Sequence, residues 1–276
     1  MTLPVVHIVA DTLPEAWEKA VVETWRVGVS VRTQYDKPDD PPSKDAIAVI
    51  VVREPFKEPR IHRALPCGLA ELEIYCQEVI HGIHDHWIDP SSGKWEYTYH
   101  ERLRAYSVPG MSEPIDQLSY IIDSLAKTPH TRRAQAITWK VWVDTGIEHP
   151  PCLQRIWVRV IGDELVMNVH MRSNDAFKAA FMNMYAFTEL QKVIAERLSE
   201  RLEQQIRVGQ YTHIADSFHI YGAYFDEFQR FLETLQRRTF EQRTYRTEEV
   251  LPIFEEAREA IKRSLEEERI SGRKGI

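Results

Sequence analysis

Hydrophobic residues recur at helical spacing near the start of the chain and predict an opening amphipathic helix. Trp17, Val21 and Trp25 fall on one face of residues 13–27, because positions three or four apart share a helix face. The pattern stops at Gly28, where we expect the helix to end. Similar spacing predicts further helices over residues 68–81, 115–126, 181–207, 225–238 and 248–268.

Short apolar or alternating runs predict the strands. Residues 46–52 form a continuous apolar run, which is typical of a strand buried on both faces. Alternation over residues 134–143 predicts another strand. Residues 156–161 and 165–171 flank Gly162-Asp163-Glu164 and predict a hairpin. An exposed proline-rich loop and a turn are predicted at residues 36–43 and 90–93.

Strands and helices mix along the chain without the regular alternation of a doubly wound sheet. We therefore expect an α+β fold, in which one domain over residues 1–276 packs a mixed or antiparallel β-sheet against helices. A charged carboxyl-terminal helix and tail occupy residues 246–276. That helix either faces solvent or forms an oligomer contact, and its charge favours solvent.

Composition limits the classes of protein that the chain can belong to. Lys and Arg total 35 against 42 Asp and Glu, a net charge of −7, so we expect no nucleic-acid partner. A local arginine cluster can still hold one phosphate. No apolar run approaches the roughly 18–20 residues of a membrane span, and the amino terminus lacks the features of a secretion signal. We therefore expect a cytoplasmic location and no membrane partner.

The cysteines include one candidate nucleophile. Cys67, Cys76 and Cys152 show no zinc-ribbon spacing, which favours free thiols in a reducing compartment. Cys152 follows Pro150 and Pro151, whose stiff backbone can present a thiol at a strand start. It would react as the thiolate, which needs a cationic or hydrogen-bonding environment. A buried structural cysteine is the alternative, since Cys67 also follows a proline.

The residues that follow Cys152 favour the chemical interpretation. Arg172, Ser173 and Asp175 come after a predicted strand, and Asn183 stands eight residues beyond Asp175. Guanidinium groups suit the oxygens of a phosphomonoester better than ammonium groups do. Further candidates, a tandem arginine pair and a His-x-Tyr motif, are Arg132, Arg133, His219 and Tyr221.

The combination of Pro-Pro-Cys, Arg-Ser-x-Asp, a spaced Asn and His-x-Tyr resembles the thymidylate synthase family, and its archaeal-type branch more than the bacterial one. The resemblance runs from about Arg32 to Tyr221. It implies the thymidylate synthase fold, with one face of the sheet forming a homodimer interface. It also implies that Cys152 attacks C6 of a pyrimidine nucleoside monophosphate and that Asn183 reads the O4 and N3 edge of the ring.

The resemblance implies roles for the other candidates as well. His219 and Tyr221 would bind the 3′ hydroxyl of deoxyribose. Asp175 would organise the pyrimidine and folate sites, with Tyr99 also at the folate. The phosphate would be held by Arg32, Arg172 and Ser173, together with Arg132 and Arg133 from the partner subunit.

The implied reaction is transfer of one carbon from 5,10-methylenetetrahydrofolate to C5 of dUMP, which gives dTMP without a metal. The close alternative is hydroxymethylation of dUMP, dCMP or CMP. The implied general acid/base is a glutamate within residues 68–81, where Glu78 suits the role better than Glu71 or Glu73. A solvated helix charge is the competing interpretation of each.

The chain also departs from the family pattern. Leu153 stands where bacterial members have a histidine, Met171 replaces a glutamine, and no glycine follows Asp175 closely. These changes affect the folate site more than the nucleotide site. Two rival hypotheses stay open. One is a pseudoenzyme or dimeric scaffold that retains the nucleotide pocket, which the changes at the folate site favour. The other is a metal hydrolase. The hydrolase would use His81, His84, Asp85 and His86, whose spacing places the third ligand poorly on one helix.

Overall fold

The computed structural model describes residues 2–92 and 95–272. Gly93, the last residue of the predicted turn, and residues 273–276 of the predicted tail lie outside the described residues. The architecture is α+β, with a mixed sheet and helices in one domain, as the sequence predicts. Among the described residues, no helix is long and apolar enough to cross a membrane.

The main sheet has eight strands within the described part of the chain. Its order is β1-β3-β9-β7-β6-β5, while β2 pairs with β3 and β8 pairs with β9. The strands are β1 (Val5–Ala10), β2 (Val29–Val31), β3 (Ser43–Val52), β5 (Gln135–Ile137), β6 (Leu153–Ile161), β7 (Glu164–Met171), β8 (Asn174–Asp175) and β9 (Arg207–Ile220). A separate antiparallel pair joins β4 (Ile61–His62) to β10 (Thr244–Tyr245). The pairs β1–β3, β7–β9 and β8–β9 are parallel and the other pairs of the main sheet antiparallel, so the sheet is mixed.

The six helices that the sequence predicts are present, most of them with shifted ends. They are α1 (Leu13–Val27), α2 (Leu69–His81), α4 (Gln117–Lys127), α6 (Ala180–Leu202), α7 (Phe225–Arg237) and α8 (Thr247–Ser271). Two short helices, α3 (Tyr99–Arg104) and α5 (Val141–Asp144), were not predicted. The first ends where Gly28 donates its N–H to the carbonyl of Thr24. The charged α8 buries Val250, Phe254 and Ala257 against the chain and exposes most of its other residues.

One face of the sheet packs against helices because its strands alternate. In β7, Leu165, Met167 and Val169 are fully buried, and the residues between them are half-buried. Helices α1 and α6 contribute Trp17 and Phe181 to this core. The opposite face remains accessible in the single chain.

That accessible face corrects one expectation. Residues 46–52 were expected to be buried on both faces, but β3 buries Ala48 and Ile50 while Val49 and Val51 are half-buried. On the neighbouring β1, Val5 is 61% exposed. The apolar run therefore reflects one core face and one accessible apolar face.

The prediction of a helix through Arg207 is wrong at its end. Helix α6 stops at Leu202, where Glu203 adopts a left-handed conformation with φ of 50°. Arg207 instead begins β9, a long strand that the sequence pattern does not predict, and β1 was also missed. Buried His213 breaks the apolar signal of β9, so its interior face does not look hydrophobic.

The predicted strand over residues 134–143 is correct only at its beginning. β5 ends at Ile137, and the following residues turn into the short α5. The reason is Asp144, whose carboxylate accepts the N–H of Lys140 at 2.6 Å and forms a buried two-point ion pair with Arg102 at 2.8 and 2.9 Å. The alternating apolar residues after Lys140 therefore lie on an exposed helical turn.

Candidate functional site

A cavity of about 350 Å³ brings together most of the predicted site residues. Its walls come from α2, the start of α3, the residue before β6, β8, the start of α6 and the end of β9. The lining residues are Tyr75, Tyr99, Cys152, Ser173, Asn174, Asp175, Ala179, Met182, Asn183, His219 and Tyr221. Seven of the positions proposed from the sequence are among them.

The β6–β7 hairpin places Arg172 beside the thiol of Cys152. Cys152 comes directly before β6 and Arg172 directly after β7, and the register pairs Leu153 with Met171. The N–H of Arg172 donates to the carbonyl of Cys152 at 2.8 Å. Burial raises the pKa of the Cys152 thiol, while the positive charge of Arg172 acts to lower it. The local charge thus favours the thiolate, which burial opposes.

The side chain of Arg172 also braces the Pro-Pro-Cys turn. Its Nε donates to the carbonyl of Pro151 at 3.1 Å, and its Nη2 donates to the carbonyl of Pro150 at 2.6 Å. These bonds hold the backbone before the thiol. Arg172 itself is absent from the cavity lining among the described residues, although the next residue, Ser173, lines it.

Asp175 is a half-buried carboxyl group that lines the cavity. β8 pairs Asp175 with His219 on β9. Its Oδ1 accepts the N–H groups of Phe177 at 3.1 Å and Lys178 at 2.8 Å. Burial nevertheless raises the pKa of Asp175, against the opposing effect of these hydrogen bonds and of His219. No hydrogen bond from a described residue occupies Oδ2, so a ligand can use it.

Asn183 faces the cavity from the first turn of α6. Its side-chain Oδ1 accepts a hydrogen bond from the hydroxyl of Tyr75 on α2 at 2.5 Å. The two residues lie 108 positions apart in sequence. Burial raises the pKa of Tyr75 well above its usual value, and the charge of Glu78 acts in the same direction, so the hydroxyl stays protonated.

The end of β9 supplies the His-x-Tyr pair. Nδ1 of His219 lies 3.1 Å from the hydroxyl oxygen of Ser217. Nε2 of His219 is buried and has no hydrogen-bond partner among the described residues. A buried polar atom of this kind needs a partner, and the cavity can accept one. The ring of Tyr221 packs edge-on at 4.6 Å, and burial raises the pKa of Tyr221 to about 12.

A second buried polar group reaches the cavity through Asn174. Its Oδ1 lies 2.8 Å from Nε2 of His213, whose Nδ1 lies 2.9 Å from the hydroxyl of Tyr211. Burial lowers the pKa of His213 to about 3, so the ring is neutral. A neutral ring that donates from Nε2 accepts at Nδ1, so Tyr211 donates to it. Asn174 occupies the variable position of the Arg-Ser-x-Asp motif. Its place in that motif was the signal in the sequence that could have identified it as a site residue.

Other lining residues had weaker signals in the sequence. Tyr99 was predicted, and its hydroxyl accepts the N–H of Leu153 at 3.3 Å, close to the thiol. Tyr75, Ala179 and Met182 were not predicted. Tyr75 reaches the cavity only through the packing of α2 against α6, which no local pattern contains.

The glutamates of α2 do not line this cavity. Glu71 is exposed, and Glu73 is buried in an ion pair with Arg258 at 2.7 Å. The carboxylate of Glu78 lies 2.9 Å from Nδ1 of His84. Glu78 is still close enough for its charge to affect Tyr75.

The remaining predicted arginines lie apart from the cavity lining. Arg32 donates to the carbonyl of Lys37 at 3.1 Å in an exposed loop. Arg132 and Arg133 are exposed between α4 and β5, and the carbonyl of Arg132 accepts the indole N–H of Trp157. Within residues 2–92 and 95–272, no arginine or lysine lines the cavity.

The histidine-rich segment of the rival hypothesis is engaged elsewhere. Nε2 of His86 lies 2.5 Å from Glu268, and Nδ1 of His100 lies 2.6 Å from Asp85. Together with the contact of His84 to Glu78, these pairs divide the segment among separate partners. In the described part of the chain, no three His, Cys, Asp or Glu side chains form a group that could hold a metal ion.

Comparisons with known proteins identify sequences similar to this chain. The family model described as thymidylate synthase matches residues 73–261, more than half of the chain. A protein of Methanocaldococcus jannaschii named "Putative thymidylate synthase" is 28% identical over 215 residues, covering 76% of this chain and 88% of that protein. A relative of the same name from Methanopyrus kandleri is 30% identical over 187 residues, covering 67% and 81%.

A solved structure has the same fold. The thermostable thymidylate synthase A of Bacillus subtilis superimposes with a TM-score of 0.62 at 18% identity, covering 80% of this chain and 84% of that one. The sequence match spans the segment from α2 to α8, which holds the thiol and the other lining residues. The chain belongs to the thymidylate synthase family.

Proposed function

We propose that the protein is a thymidylate synthase that methylates C5 of dUMP through covalent addition of Cys152 to C6. The observation that carries this proposal is the shared cavity. It joins the Cys152 thiol to the amide of Asn183 and to the unpartnered Nε2 of His219. A nucleotide reaction of this type needs a nucleophile, an amide that hydrogen-bonds the ring, and a group that hydrogen-bonds the sugar hydroxyl.

Covalent addition begins at the thiol. The thiolate of Cys152 attacks C6, and the electron pair of the C5–C6 double bond moves towards C5 and O4. The Nδ2 group of Asn183 donates to O4, where the negative charge develops, so the amide stabilises the adduct more than the free ring. The charge of Arg172 favours the thiolate that starts the reaction.

The sugar and phosphate have separate partners in the proposal. Nε2 of His219 and the hydroxyl of Tyr221 bind the 3′ hydroxyl of deoxyribose, which gives the buried imidazole nitrogen its partner. Ser173 and Arg172 bind the phosphate at the edge of the cavity, and Arg32 binds it from its own loop. The lining holds no cationic side chain among the described residues, so the dianion needs further guanidinium groups.

A second subunit can supply those groups. We infer a homodimer in which Arg132 and Arg133 reach the partner's cavity, since both residues are exposed. The accessible sheet face supports this arrangement, because it carries exposed Val5 and Val9 and half-buried Val49. An apolar face of this kind is typical of a subunit interface.

The cosubstrate is proposed to be 5,10-methylenetetrahydrofolate, which supplies the one-carbon unit and, in the methylating reaction, the hydride. The cavity suits a ring rich in N–H groups beside the nucleotide, because the free Oδ2 of Asp175 can accept from it. Tyr99 and Met182 provide ring and thioether surface for stacking.

Proton transfer is assigned to Glu78. Because Glu78 does not line the cavity, it would act through water and the neighbouring Tyr75 hydroxyl. The reaction needs no metal, and the three free cysteines favour the reducing cytoplasm.

Product analysis tests the proposal and its close alternative. The protein is incubated with dUMP, dCMP or CMP and methylenetetrahydrofolate, and the nucleotides are identified by mass. We expect dTMP from dUMP together with dihydrofolate. A hydroxymethyl nucleotide would instead identify the alternative reaction, in which water replaces the hydride. Cys152→Ser is the control, and turnover by that variant would overturn the covalent mechanism.

A further inference from the structure

Helix α2 meets the candidate ring-reading residue through one hydroxyl group. The Tyr75 hydroxyl donates to Oδ1 of Asn183 at 2.5 Å, and both residues line the cavity. Asn183 is only 7% exposed, so its amide has little freedom to exchange this bond for one with water. The contact therefore turns the carbonyl side of the amide towards α2.

The other side of the same amide is left for a ligand. No hydrogen bond within the described residues uses Nδ2 of Asn183. Oδ1 and Nδ2 of a planar carboxamide point in different directions, so fixing one fixes the other. With Oδ1 held by Tyr75, the group offered to the cavity is a pair of N–H donors.

Reversing the amide would leave the hydroxyl proton of half-buried Tyr75 without an acceptor among the described residues. After a half-turn, Nδ2 would donate to the Tyr75 oxygen, and the hydroxyl proton of Tyr75 would need another partner. Among the described residues, Asn183 is the acceptor that the structure gives this hydroxyl. An unsatisfied buried donor is costly, so the observed orientation is favoured over the reversed one.

No carboxylate of α2 competes for this role. Glu71 is exposed, Glu73 pairs with Arg258, and Glu78 contacts His84. The group of α2 that touches the amide is thus a neutral donor. A carboxylate in that place would accept from Nδ2 and turn Oδ1 towards the ligand instead.

We propose that Tyr75 is a positioning residue that sets the preference for a pyrimidine with a keto oxygen at C4 over one with an amino group there. It acts through Asn183, whose N–H donors match O4 of a uracil ring and oppose the amino group of a cytosine ring. This inference rests on the proposed function, because it takes a pyrimidine nucleotide as the ligand.

Equilibrium binding of dUMP and dCMP to the full-length protein tests the inference. Wild type is expected to bind dUMP more tightly than dCMP. Tyr75→Phe keeps the ring and removes the hydroxyl, so the amide can reverse, and the ratio of the two dissociation constants should fall about tenfold. The Tyr75→Phe change should have no effect on the ratio in an Asn183→Ala background, because the preference passes through that amide.

A matched control separates positioning from packing. Tyr185→Phe removes the hydroxyl of another buried tyrosine, which lies on α6 outside the cavity lining, and should leave the ratio unchanged. Thermal unfolding is measured for each variant, and Tyr75→Leu serves as a second hydroxyl-free variant if Tyr75→Phe does not fold.

Three results would overturn the inference, and they differ in what they reject. An unchanged ratio in Tyr75→Phe rejects the role of Tyr75 alone. A wild-type protein that binds both nucleotides equally, or dCMP better, shows that there is no such preference to set. A wild-type protein that binds neither nucleotide rejects the proposed function itself.

Discussion

Nη2 of Arg172 lies 2.6 Å from the carbonyl oxygen of Pro150, two residues before the candidate nucleophile. The same guanidinium group lowers the pKa of the Cys152 thiol against the effect of burial. One side chain therefore fixes the turn that carries the sulfur and supplies the nearest favourable charge. Its proposed contact with phosphate adds a third role at the same position.

Removing the charge of Arg172 should slow alkylation of Cys152. In wild type the rate should rise with pH up to the thiol pKa, which burial raises above the usual value for cysteine. Arg172→Gln should raise that pKa further and slow the reaction near neutral pH, because a smaller fraction of the thiol is then ionised. The rates are measured with iodoacetamide by peptide mass spectrometry.

Two comparisons make the alkylation result specific. Arg237→Gln changes an exposed arginine on α7 and should behave as wild type. Cys67, whose pKa burial raises to about 11, should react more slowly than Cys152 in wild type and in Arg237→Gln. Equal Cys152 rates in wild type and Arg172→Gln would contradict the electrostatic role.

Replacing Glu78 by Gln should reduce turnover without weakening nucleotide binding. General acid/base groups typically contribute a factor of about 100 or more to the rate, and Glu78 is not among the residues that line the cavity. Steady-state kinetics and equilibrium binding of dUMP measure the two effects separately. Glu71→Gln, an exposed change on the same helix, is the matched control. A larger loss in Glu71→Gln would transfer the role to Glu71.

Mixing two inactive variants should restore activity if subunits share the site. Cys152→Ala loses the thiol, and the double variant Arg132→Ala/Arg133→Ala loses the groups that we assign to the partner's phosphate site. Random mixed dimers would carry one intact site, so about a quarter of the sites should be active. Turnover is compared before and after the two proteins are denatured and refolded together. Sites built from one chain would give no recovery.

Acid should destabilise the fold through His213. Its pKa is about 3 in the folded chain against 6.5 for an unburied histidine, so between these values the unfolded state binds a proton that the folded state does not. Stability should therefore fall as pH falls from 6.5 towards 3, by up to about 1.4 kcal/mol per pH unit. Urea unfolding at several pH values measures the slope.

Two variants isolate that histidine from the other groups that titrate with acid. His213→Gln keeps a side-chain donor for Asn174 but does not titrate, so its slope should be shallower than that of wild type. His130→Gln changes an exposed loop histidine and should retain the wild-type slope. Identical slopes in wild type and His213→Gln would show that His213 does not carry the effect.

The sequence was informative where the site is local. A hairpin brings its two ends together, so Arg172 could be expected beside Cys152 from the turn at Gly162 alone. The eight-residue spacing from Asp175 to Asn183 similarly spans one short segment and the first turn of α6. These local relations placed the thiol, the carboxyl group and the amide around one cavity.

The sequence was uninformative where tertiary packing decides the outcome. Tyr75 meets Asn183 across two helices, and only the packed structure shows that a tyrosine rather than Glu78 contacts the amide. Strand β9 was missed because buried polar His213 and Gly209 interrupt its apolar pattern. The helical turn at Asp144 depends on Arg102, which lies 42 residues away.

The position of β9 in the sheet has a consequence for synthesis of the protein. Its neighbours β3 and β7 cannot pair with it until Arg207–Ile220 has left the ribosome. Until then both would have unpaired backbone groups along one edge, a state that invites aggregation. Contacts between such distant segments form slowly, so completion of the sheet should lag behind the synthesis of β9, and chaperones that shield open strand edges should improve the yield.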